Sequence, residues 1–565
     1  MTRNLVRMRR AVLIGLAWGA GAFHLAIVGV LLMLHQRWIV VETLTLGQAT
    51  LLLIAGGAGA MTSARVAEAG RGASPGLSAL AGAACAAPIT LLMIVMSLLS
   101  LRDIFISLSP DLYSMLTLDF DPAPAAGLLL VSGALAGVVG AALWSAPPIV
   151  IRAVFPGAVG VLVAGVFQEL IQLMLQQYGG IVSDIREAIY DWEGLTQQGA
   201  VIVFVVVALI AEGVGFARRL RHARRPVVDH RRERMIRAGI ALLVLALLPA
   251  VAGSYIGQVL MLVGLYILMG MGLNLEVGLA GLLDLGFVAF FAVGAYTTAL
   301  LTSGGPHALM HLSYWVAMPV SVVMSLIVGV LFGLPVLGVR GDYLAVATMG
   351  LGEIVRVIVL SDFAAPLLGG AQGVLEIPKP NIFGFVLGTP VALFYLTLVC
   401  AAVAAFVAWR LENSRLGRAW EALRDDEDVA QALGINLVRS KLLAYGLGAT
   451  FAGLGGSIFA TMLTSVYPSS FQLLISINVL ALIIVGGMGS LPGVVLGSIA
   501  LIGLPELLRE FGDYRYLFYG AVLIVMMRLR PEGLWPSEVR QRELHASDET
   551  FELDAGTEAL PVQPR

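Results

Sequence analysis

The side chains best suited to chemistry in this chain are the few charged residues inside its long apolar stretches. Glu353 and Arg356 stand three positions apart in the stretch that follows Asp342, so both would lie on one face of a helix. At 1.5 Å per residue, Glu353 would lie about 16 Å from the start of that helix, near the middle of a bilayer. Ionisable groups at that depth are costly and are usually functional. The pair is interpreted either as a structural ion pair or as part of a transport pathway.

A second polar group interrupts an apolar stretch that is rich in glycine. Its polar members are Asn274, Glu276 and Asp284, and its glycines are Gly278, Gly281 and Gly286. Glycine-interrupted segments in membrane helices either line a cavity or allow neighbouring helices to approach closely. Both interpretations stay open for Asn274 and Asp284.

The densest internal charge lies in "SRLGRAWEALRDDEDVAQALGINLVRSK" (414–441), between two apolar stretches. Within it, "RDDEDVAQALG" predicts a short helix, because Asp425 or Asp426 can cap its N-terminus and Gly434 suits the left-handed position after its last turn. Apolar residues recur beside these charges with helical spacing. They are Trp420, Leu423, Ala430, Leu433 and Leu437. A short amphipathic helix of this kind lies on a membrane or docks in the groove of a partner, and a plain charged connector is the alternative.

The composition around these groups is that of a protein that crosses a membrane many times. Hydrophobic residues make up 58% of the 565 residues, and the mean hydropathy is +0.90. Apolar windows of about twenty residues, long enough to cross a bilayer as helix, recur along the chain. The N-terminal windows lie near 11–34, 46–62, 77–101, 126–145, 149–176 and 199–217. The later windows lie near 237–254, 256–273, 277–303, 315–338, 343–361, 389–409, 442–464, 472–488, 493–508 and 514–529. The sequence therefore predicts an all-α polytopic membrane protein, with a core of about ten helices and about six extra N-terminal spans.

Basic residues predict the orientation and the domain boundaries. Arginines cluster at the start of the chain, in 218–236, in the charged segment around 410–441 and after the last span. Even numbers of predicted spans separate these clusters, so all of them can lie in the cytoplasm together with both termini. Residues 218–236 are then a basic cytoplasmic linker between an N-terminal region, 1–217, and a core, 237–535. The polar, acidic residues 536–565 are expected to form a disordered tail.

Several function classes are excluded by what the sequence lacks. The two lysines, Lys379 and Lys441, both lie outside any G-x-x-x-x-G-K-[ST] motif, so the chain is not a P-loop ATPase. The seven histidines form no group with catalytic or metal-binding spacing, and the two cysteines lie in apolar segments. We therefore expect no enzyme activity, no metal or cofactor in this chain, and no nucleic-acid partner.

Further stretches carry a resemblance to a known family, in the same order as in that family. They are "GLNLEVGLAGLLDLGFVAFFAVGAY" (272–296), "VRGDYLAVATMGLGEIVR" (339–356), "GRAWEALRDDE" (417–427), "FAGLGGSIFA" (451–460) and "IIVGGMGSLPGVVLG" (483–497). They resemble the LivM-type permease of branched-chain amino acid ABC importers, over residues 237–535. In "DVAQALG" (428–434), Ala430 and Gly434 match the EAA-xxx-G motif of ABC importer permeases. Asp428 stands in place of its Glu, and Val429 in place of its first Ala.

The resemblance implies a permease subunit of an ATP-driven importer for branched-chain or related amino acids, in the inner or plasma membrane. It implies a coupling helix that docks on separate ATPase subunits and involves Glu421, Asp428, Val429, Ala430 and Gly434. The implied partners are two ABC ATPases that hold ATP and Mg²⁺, a homologous second permease, an extracytoplasmic substrate-binding protein and the lipid bilayer. The N-terminal region has no second coupling loop, so we expect an accessory role for it.

Two alternative functions remain open from the sequence. Related permeases carry urea or short amides, and no residue in this sequence identifies the substrate directly. A urea or short-amide permease is therefore one alternative. An ion-coupled secondary carrier would use charged midplane residues such as Glu353, but it would also require inverted repeats with broken helices in corresponding places. The sequence shows no such internal symmetry.

Overall fold

The computed structural model of this chain describes residues 2–66, 75–99, 104–222, 245–339, 341–530 and 532–536. The chain divides into two compact units, Met1–Met235 and Ile236–Arg565. Residues 223–236 of the predicted basic linker and residues 537–565 of the predicted tail lie outside the described residues.

Helices make up nearly all of the regular structure in the described part of the N-terminal unit. They are α1 (Thr2–Val28), α2 (Val30–His35), α3 (Leu46–Val66), α4 (Pro75–Leu98), α5 (Pro110–Thr117), α6 (Pro122–Ser145), α7 (Pro148–Val166), α8 (Gln168–Gln176), α9 (Ile181–Ile189) and α10 (Gln197–His222). A short antiparallel pair, β1 (Trp38–Val40) and β2 (Leu44–Thr45), lies between α2 and α3. A Cβ at Gly59 would overlap the backbone of Gly137, and a Cβ at Gly82 would overlap that of Gly133. Small residues therefore allow α3, α4 and α6 to pack backbone against backbone.

The C-terminal unit is also helical, and its described part begins with α11 (245–252). The long helices that follow are α12 (Ser254–Leu273), α13 (Val288–Thr302), α14 (Tyr314–Val336), α15 (Asp342–Leu360), α17 (Pro390–Glu412), α20 (Leu437–Leu463), α21 (Leu473–Gly486) and α24 (Arg515–Leu529). Shorter ones are α16 (Ala365–Leu368), α18 (Arg415–Asp425), α19 (Glu427–Ala432), α22 (Leu491–Ser498) and α23 (Leu504–Leu507). A two-stranded hairpin, β3 (Asn381–Ile382) and β4 (Phe385–Val386), precedes α17.

Many of these helices are suited to crossing a membrane. In the described chain, 11 helices are long and apolar enough to do so, or up to 12 if one bent pair counts as a span. That pair, Val154–Val166 and Gln168–Gln176, bends by 74°. Shorter apolar helices lie at Val288–Thr302 and Leu491–Leu507. The predicted all-α polytopic fold is confirmed. The predicted number of spans, about ten in the core and about six N-terminal, is larger than the 11 or 12 helices of the described chain that meet the length and hydropathy needed to cross a membrane. Residues 237–244 of one predicted window lie outside the described residues.

One predicted window, 277–303, is not a continuous span, and that prediction is wrong. α12 continues into a π-helical turn, Asn274–Leu279, and the chain then loses helical structure until α13 begins. Gly281 has a φ of 71°, a left-handed conformation that glycine adopts readily. The Asp284 carboxylate accepts a hydrogen bond from the backbone N–H of Gly286 at 2.7 Å. We call residues 274–287 the helix break; it leaves α13 with 15 residues, fewer than the roughly 20 that span a bilayer core.

α20 lies at the centre of the C-terminal unit, where it packs against α12, α13 and α14. A Cβ at Gly294 in α13 would overlap the backbone of Gly453 in α20, and a Cβ at Gly456 would overlap the carbonyl oxygen of Phe291. The small residues of "FAGLGGSIFA" therefore allow α13 and α20 to touch through their backbones. This central pair fixes the position of the helix break, since α13 follows it directly.

Candidate functional site

The charged segment folds into two short helices, α18 and α19, which we call the charged hairpin (residues 414–436). The carboxylate of Asp426 accepts hydrogen bonds from the backbone N–H groups of Asp428 at 2.8 Å and Val429 at 3.0 Å, so it caps α19. Gly434 has a φ of 89°, and the N–H of Ile435 returns to the carbonyl of Ala430 at 3.1 Å, which closes the C-terminus. The predicted short helix with two capped ends is confirmed.

One face of the charged hairpin is fixed to the rest of the unit. Trp420 is fully buried, and its indole N–H donates to the carbonyl oxygen of Ser440 in α20 at 2.9 Å. The Lys441 ammonium, also in α20, lies 2.7 Å from a carboxylate oxygen of Glu427. Both members of this ion pair are largely buried, with side-chain exposures of 5% and 21%. Removing one member of such a buried pair typically costs about 3–5 kcal/mol, so these contacts hold α18 and α19 firmly against α20.

The opposite face of the charged hairpin is exposed. Val429 and Leu433 lie one helical turn apart and are 54% and 77% exposed, and the neighbouring Asp428 is exposed as well. Ala430 is only 1% exposed, because it turns toward the chain's own core. It therefore cannot present its side chain to a partner as the motif resemblance implied, and Leu433 takes that place on the exposed face. Gly434 acts through its backbone conformation.

A cavity of 870 Å³ opens beside α18. Charged groups of both signs line it: Arg418, Glu421 and Arg424 from α18, and Glu412 from the end of α17. Two tryptophans, Trp409 and Trp535, contribute apolar surface. The predicted site residue Glu421 is thus half-buried on the cavity wall, on a different surface from the exposed pair of α19.

Arg424 connects the charged hairpin with the helix break. Its guanidinium donates to the carbonyl oxygen of Gly278 at 2.9 Å, at the end of the π-helical turn. A Cβ at Gly281 would lie 2.8 Å from Cγ of Arg424, so the arginine stem packs directly on the left-handed glycine. Asn274 ties the same break to a second element, since its side-chain oxygen accepts from the N–H of Gly489 at 2.9 Å. Of the two interpretations of Asn274, these contacts favour helix packing.

Two carboxyl groups are enclosed within the helix break. Glu276 and Asp284 are 0% and 1% exposed and lie next to each other. Within the described part of the chain, neither carboxylate oxygen of Glu276 has a hydrogen-bond donor in suitable geometry, and the nearby hydroxyl of Tyr445 has no partner either. A Cβ at Gly448 in α20 would overlap the Glu276 carboxylate. The glycine-rich stretch therefore encloses polar groups by close packing against α20.

Glu353 and Arg356 form an ion pair within a single helix. The Arg356 Nε atom lies 3.0 Å from each Glu353 carboxylate oxygen, and a guanidinium nitrogen also contacts the carboxylate. Their side chains are 49% and 33% exposed, so the pair lies on the surface of the C-terminal unit and does not bridge two helices. Arg356 also lines a small space between α15 and α13.

Sequence reasoning missed several residues that organise this site. Trp420 was identified only as part of an apolar stripe, Lys441 only as a lysine outside a P-loop, and Arg424 only as a basic residue. The roles of these three residues depend on contacts between positions far apart in sequence. One example is the hydrogen bond from the Arg424 guanidinium to the carbonyl oxygen of Gly278. Among the described residues, no three His, Cys, Asp or Glu side chains are placed to hold a metal ion.

Comparisons with known proteins add the family context. The family model described as "Branched-chain amino acid transport system / permease component" matches residues 255–527. The permease protein LivM of the Escherichia coli high-affinity branched-chain amino acid transport system is 39% identical over 329 residues, which cover 54% of this chain and 76% of LivM. LivM of Salmonella typhimurium is 34% identical over 427 residues, covering 70% of this chain and 97% of that protein. The Escherichia coli permease LivH is 23% identical over 288 residues, covering 48% and 90%. No solved structure matches the chain.

The Salmonella match reaches beyond the C-terminal unit. It covers 70% of this chain, a larger share than residues Ile236–Arg565 represent. Part of the N-terminal unit is therefore aligned with that protein too. The predicted resemblance over residues 237–535 is confirmed, and the Salmonella match extends it into the N-terminal unit.

Proposed function

Because this chain belongs to the LivM-type family of branched-chain amino acid transport permeases, we propose that it works as the membrane-spanning subunit of an ATP-driven importer energised by separate ATPases. The names of its relatives support branched-chain amino acids as the substrate. The observation that carries the ATPase contact is the charged hairpin, which is fixed on one face and exposes Val429 and Leu433 on the other. Neither lysine of the sequence lies in a P-loop motif, so we place ATP and Mg²⁺ on the partner ATPases.

The exposed face of α19 is the proposed docking element. A short helix that presents two apolar side chains at i and i+4 fits a hydrophobic groove of a soluble partner. Asp428, beside them at the helix N-terminus, adds a charge that can pair with a basic residue at the rim of such a groove. Burying Val429 and Leu433 would contribute about 1.5 kcal/mol each, the lower end for such side chains.

The proposed path of coupling runs from α19 through α18 to the helix break. Movement of the hairpin by an ATPase reaches α20 through Trp420 and Lys441, and it reaches the π-helical turn through Arg424. The break lies between α12, a candidate membrane span, and the shorter apolar helix α13, so a displacement there would change how the two helices pack. This gives the importer a physical connection between ATP hydrolysis and the membrane region.

The assembly we propose contains this chain, a second homologous permease, two ATPases and an extracytoplasmic substrate-binding protein. From the distribution of basic residues we propose that the charged hairpin and both termini lie in the cytoplasm. The N-terminal unit has an accessory role, because no loop in its sequence resembles the charged hairpin. Conservation of part of this unit in the Salmonella relative supports a role shared within the family.

The docking proposal is tested by placing charge on the exposed face. Val429→Asp together with Leu433→Asp should weaken ATPase binding by about 100-fold, since about 3 kcal/mol of burial is lost. Co-purification of the ATPases and ATP-driven leucine uptake in proteoliposomes measure the effect. Phe383→Asp is the matched control: it lies in the β3–β4 turn, at the other end of α17, and is fully exposed. Normal ATPase recovery and uptake in the double variant would disprove docking through α19.

A further inference from the structure

An apolar groove of 740 Å³ runs along α1 in the N-terminal unit, beside α3. Its walls include Leu13, Ala17, Gly21 and Leu25 from α1, and Ile54 and Met61 from α3. From Leu13 to Leu25 the helix rises about 18 Å, close to the roughly 15 Å depth of one bilayer leaflet. The groove therefore has the length of a single acyl chain.

The floor of this groove is built by specific contacts. The indole N–H of Trp18 donates to the sulfur of Met61 at 3.3 Å, which links α1 to α3. A Cβ at Gly57 would lie 2.8 Å from the Trp18 ring, so glycine allows the ring to lie flat against α3. These contacts keep the two helices at a fixed separation and leave the space above the ring open.

One end of the groove carries positive charge. Arg65, near the end of α3, lines the groove, and Arg10 lies three and four positions before Leu13 and Ile14, on the same face of α1. Both arginines are exposed, and neither has an ion-pair or hydrogen-bond partner among the described residues. Arg65 in the groove lining, with Arg10 on the same face of α1 as Leu13 and Ile14, suits an anionic group attached to a hydrocarbon chain.

We propose that this groove binds an anionic phospholipid, with one acyl chain over Trp18 and the phosphate held between Arg65 and Arg10. Among the described groove-lining residues, Arg65 is the one Lys or Arg, and His24 is the other titratable side chain; an arginine at one end of an apolar groove suits a lipid headgroup. A helix from a second protein would have to bury both guanidinium groups or supply acidic residues against them, whereas a phosphate meets both without further partners. The bound lipid covers an apolar face of the N-terminal unit inside the membrane.

Native mass spectrometry of the purified full-length protein tests the proposal. The protein is incubated with phosphatidylglycerol and phosphatidylcholine of matched acyl chains, at equal concentrations. We expect wild type to retain phosphatidylglycerol preferentially. Arg65→Gln should lower that affinity about fivefold, the equivalent of about 1 kcal/mol per arginine at a lipid surface, and leave phosphatidylcholine binding unchanged. Arg528→Gln, an exposed arginine at the end of α24, is the control.

A second variant tests the acyl-chain part of the groove. Nothing lies within 4 Å of a Cβ at Gly21, so Gly21→Leu fills the groove without a clash and should remove the retained lipid. Gly127→Leu in α6 also meets open space and should leave lipid binding unchanged. Equal retention of both lipids by wild type, or unchanged phosphatidylglycerol binding in both Arg65→Gln and Gly21→Leu, would overturn the proposal. So would a co-purified protein that blocks lipid binding until it is removed.

Discussion

Replacing Arg424 should separate ATP hydrolysis from transport. Its guanidinium donates to the carbonyl oxygen of Gly278 at 2.9 Å, and its side chain is 25% exposed. Hydrogen bonds from charged groups contribute about 1.5–3 kcal/mol, and the partial exposure favours the lower end. Losing about 1.5 kcal/mol of interaction free energy between Arg424 and the helix break corresponds to about a tenfold change in the equilibrium between connected and disconnected states. We therefore expect Arg424→Gln to reduce leucine taken up per ATP hydrolysed by about tenfold.

The assay compares uptake and ATP hydrolysis in the same proteoliposomes. ATPase co-purification should stay at the wild-type level in Arg424→Gln, because Val429 and Leu433 on the docking face are unchanged. Arg418→Gln is the matched control: this arginine lies on the same helix and lines the same cavity, but its side chain is exposed and makes no contact with the helix break in the described structure. It should keep normal uptake per ATP.

A substitution at Gly281 tests the same contact between Arg424 and the helix break, this time by changing the helix break. Gly281 has a left-handed backbone, and its Cβ would press on the Arg424 stem. Gly281→Ala should therefore lower uptake per ATP in the same direction as Arg424→Gln. If both variants take up as much leucine per ATP hydrolysed as wild type, the contact between Arg424 in α18 and the helix break does not transmit motion. That result would refute the proposed path of coupling.

Three further predictions concern packing and charge in the C-terminal unit. Gly456→Leu should prevent α13 and α20 from packing, because a Cβ there would overlap the carbonyl oxygen of Phe291, and we expect no stable folded protein in a thermal unfolding assay in detergent. Gly350→Leu, which meets open space, should be tolerated. Glu353→Gln alone should reduce membrane insertion by leaving Arg356 without its partner, and Glu353→Gln with Arg356→Gln should restore the yield. Normal uptake by that double variant would support a structural ion pair, and lost uptake would support a pathway element. Trp420→Ala should destabilise the protein by about 3–5 kcal/mol, measured by denaturant unfolding, and should also release the ATPases.

The spans and the capped helix could be predicted because each depends on neighbouring residues. Apolar windows set the helices, and Asp426 and Gly434 set the ends of α19 through contacts within a few positions. The helix break was harder, since apolar residues such as Leu279, Leu282 and Leu285 continue through it and composition alone predicts one span. The polar and glycine residues that cause the break were visible, but their effect depends on packing against α20.

The orientation of the charged hairpin could not be predicted from periodicity. Helical spacing groups Trp420, Leu423 and Ala430 with Leu433, yet the first three are buried and the last is exposed. A turn at Asp426 separates α18 from α19, so one stripe does not continue through both helices. A motif resemblance also does not show which side of a helix is exposed. It aligned Ala430 with a motif position, although the side chain of Ala430 is buried.

In the proposed complex with an ATPase, the relative strength of the contacts on the two faces of the charged hairpin determines which helices move together. The proposed docking through Val429 and Leu433 would contribute about 3 kcal/mol in total. On the inner face, the buried Trp420 alone is worth about 3–5 kcal/mol, and breaking the pair of Lys441 and Glu427 would cost a similar amount. The hairpin is thus held to α20 more strongly than the partner is held to the hairpin. In the proposed complex, a strong pull would therefore separate the partner from the hairpin before it separated the hairpin from α20, so α18, α19 and α20 would move as one unit while the partner stays bound.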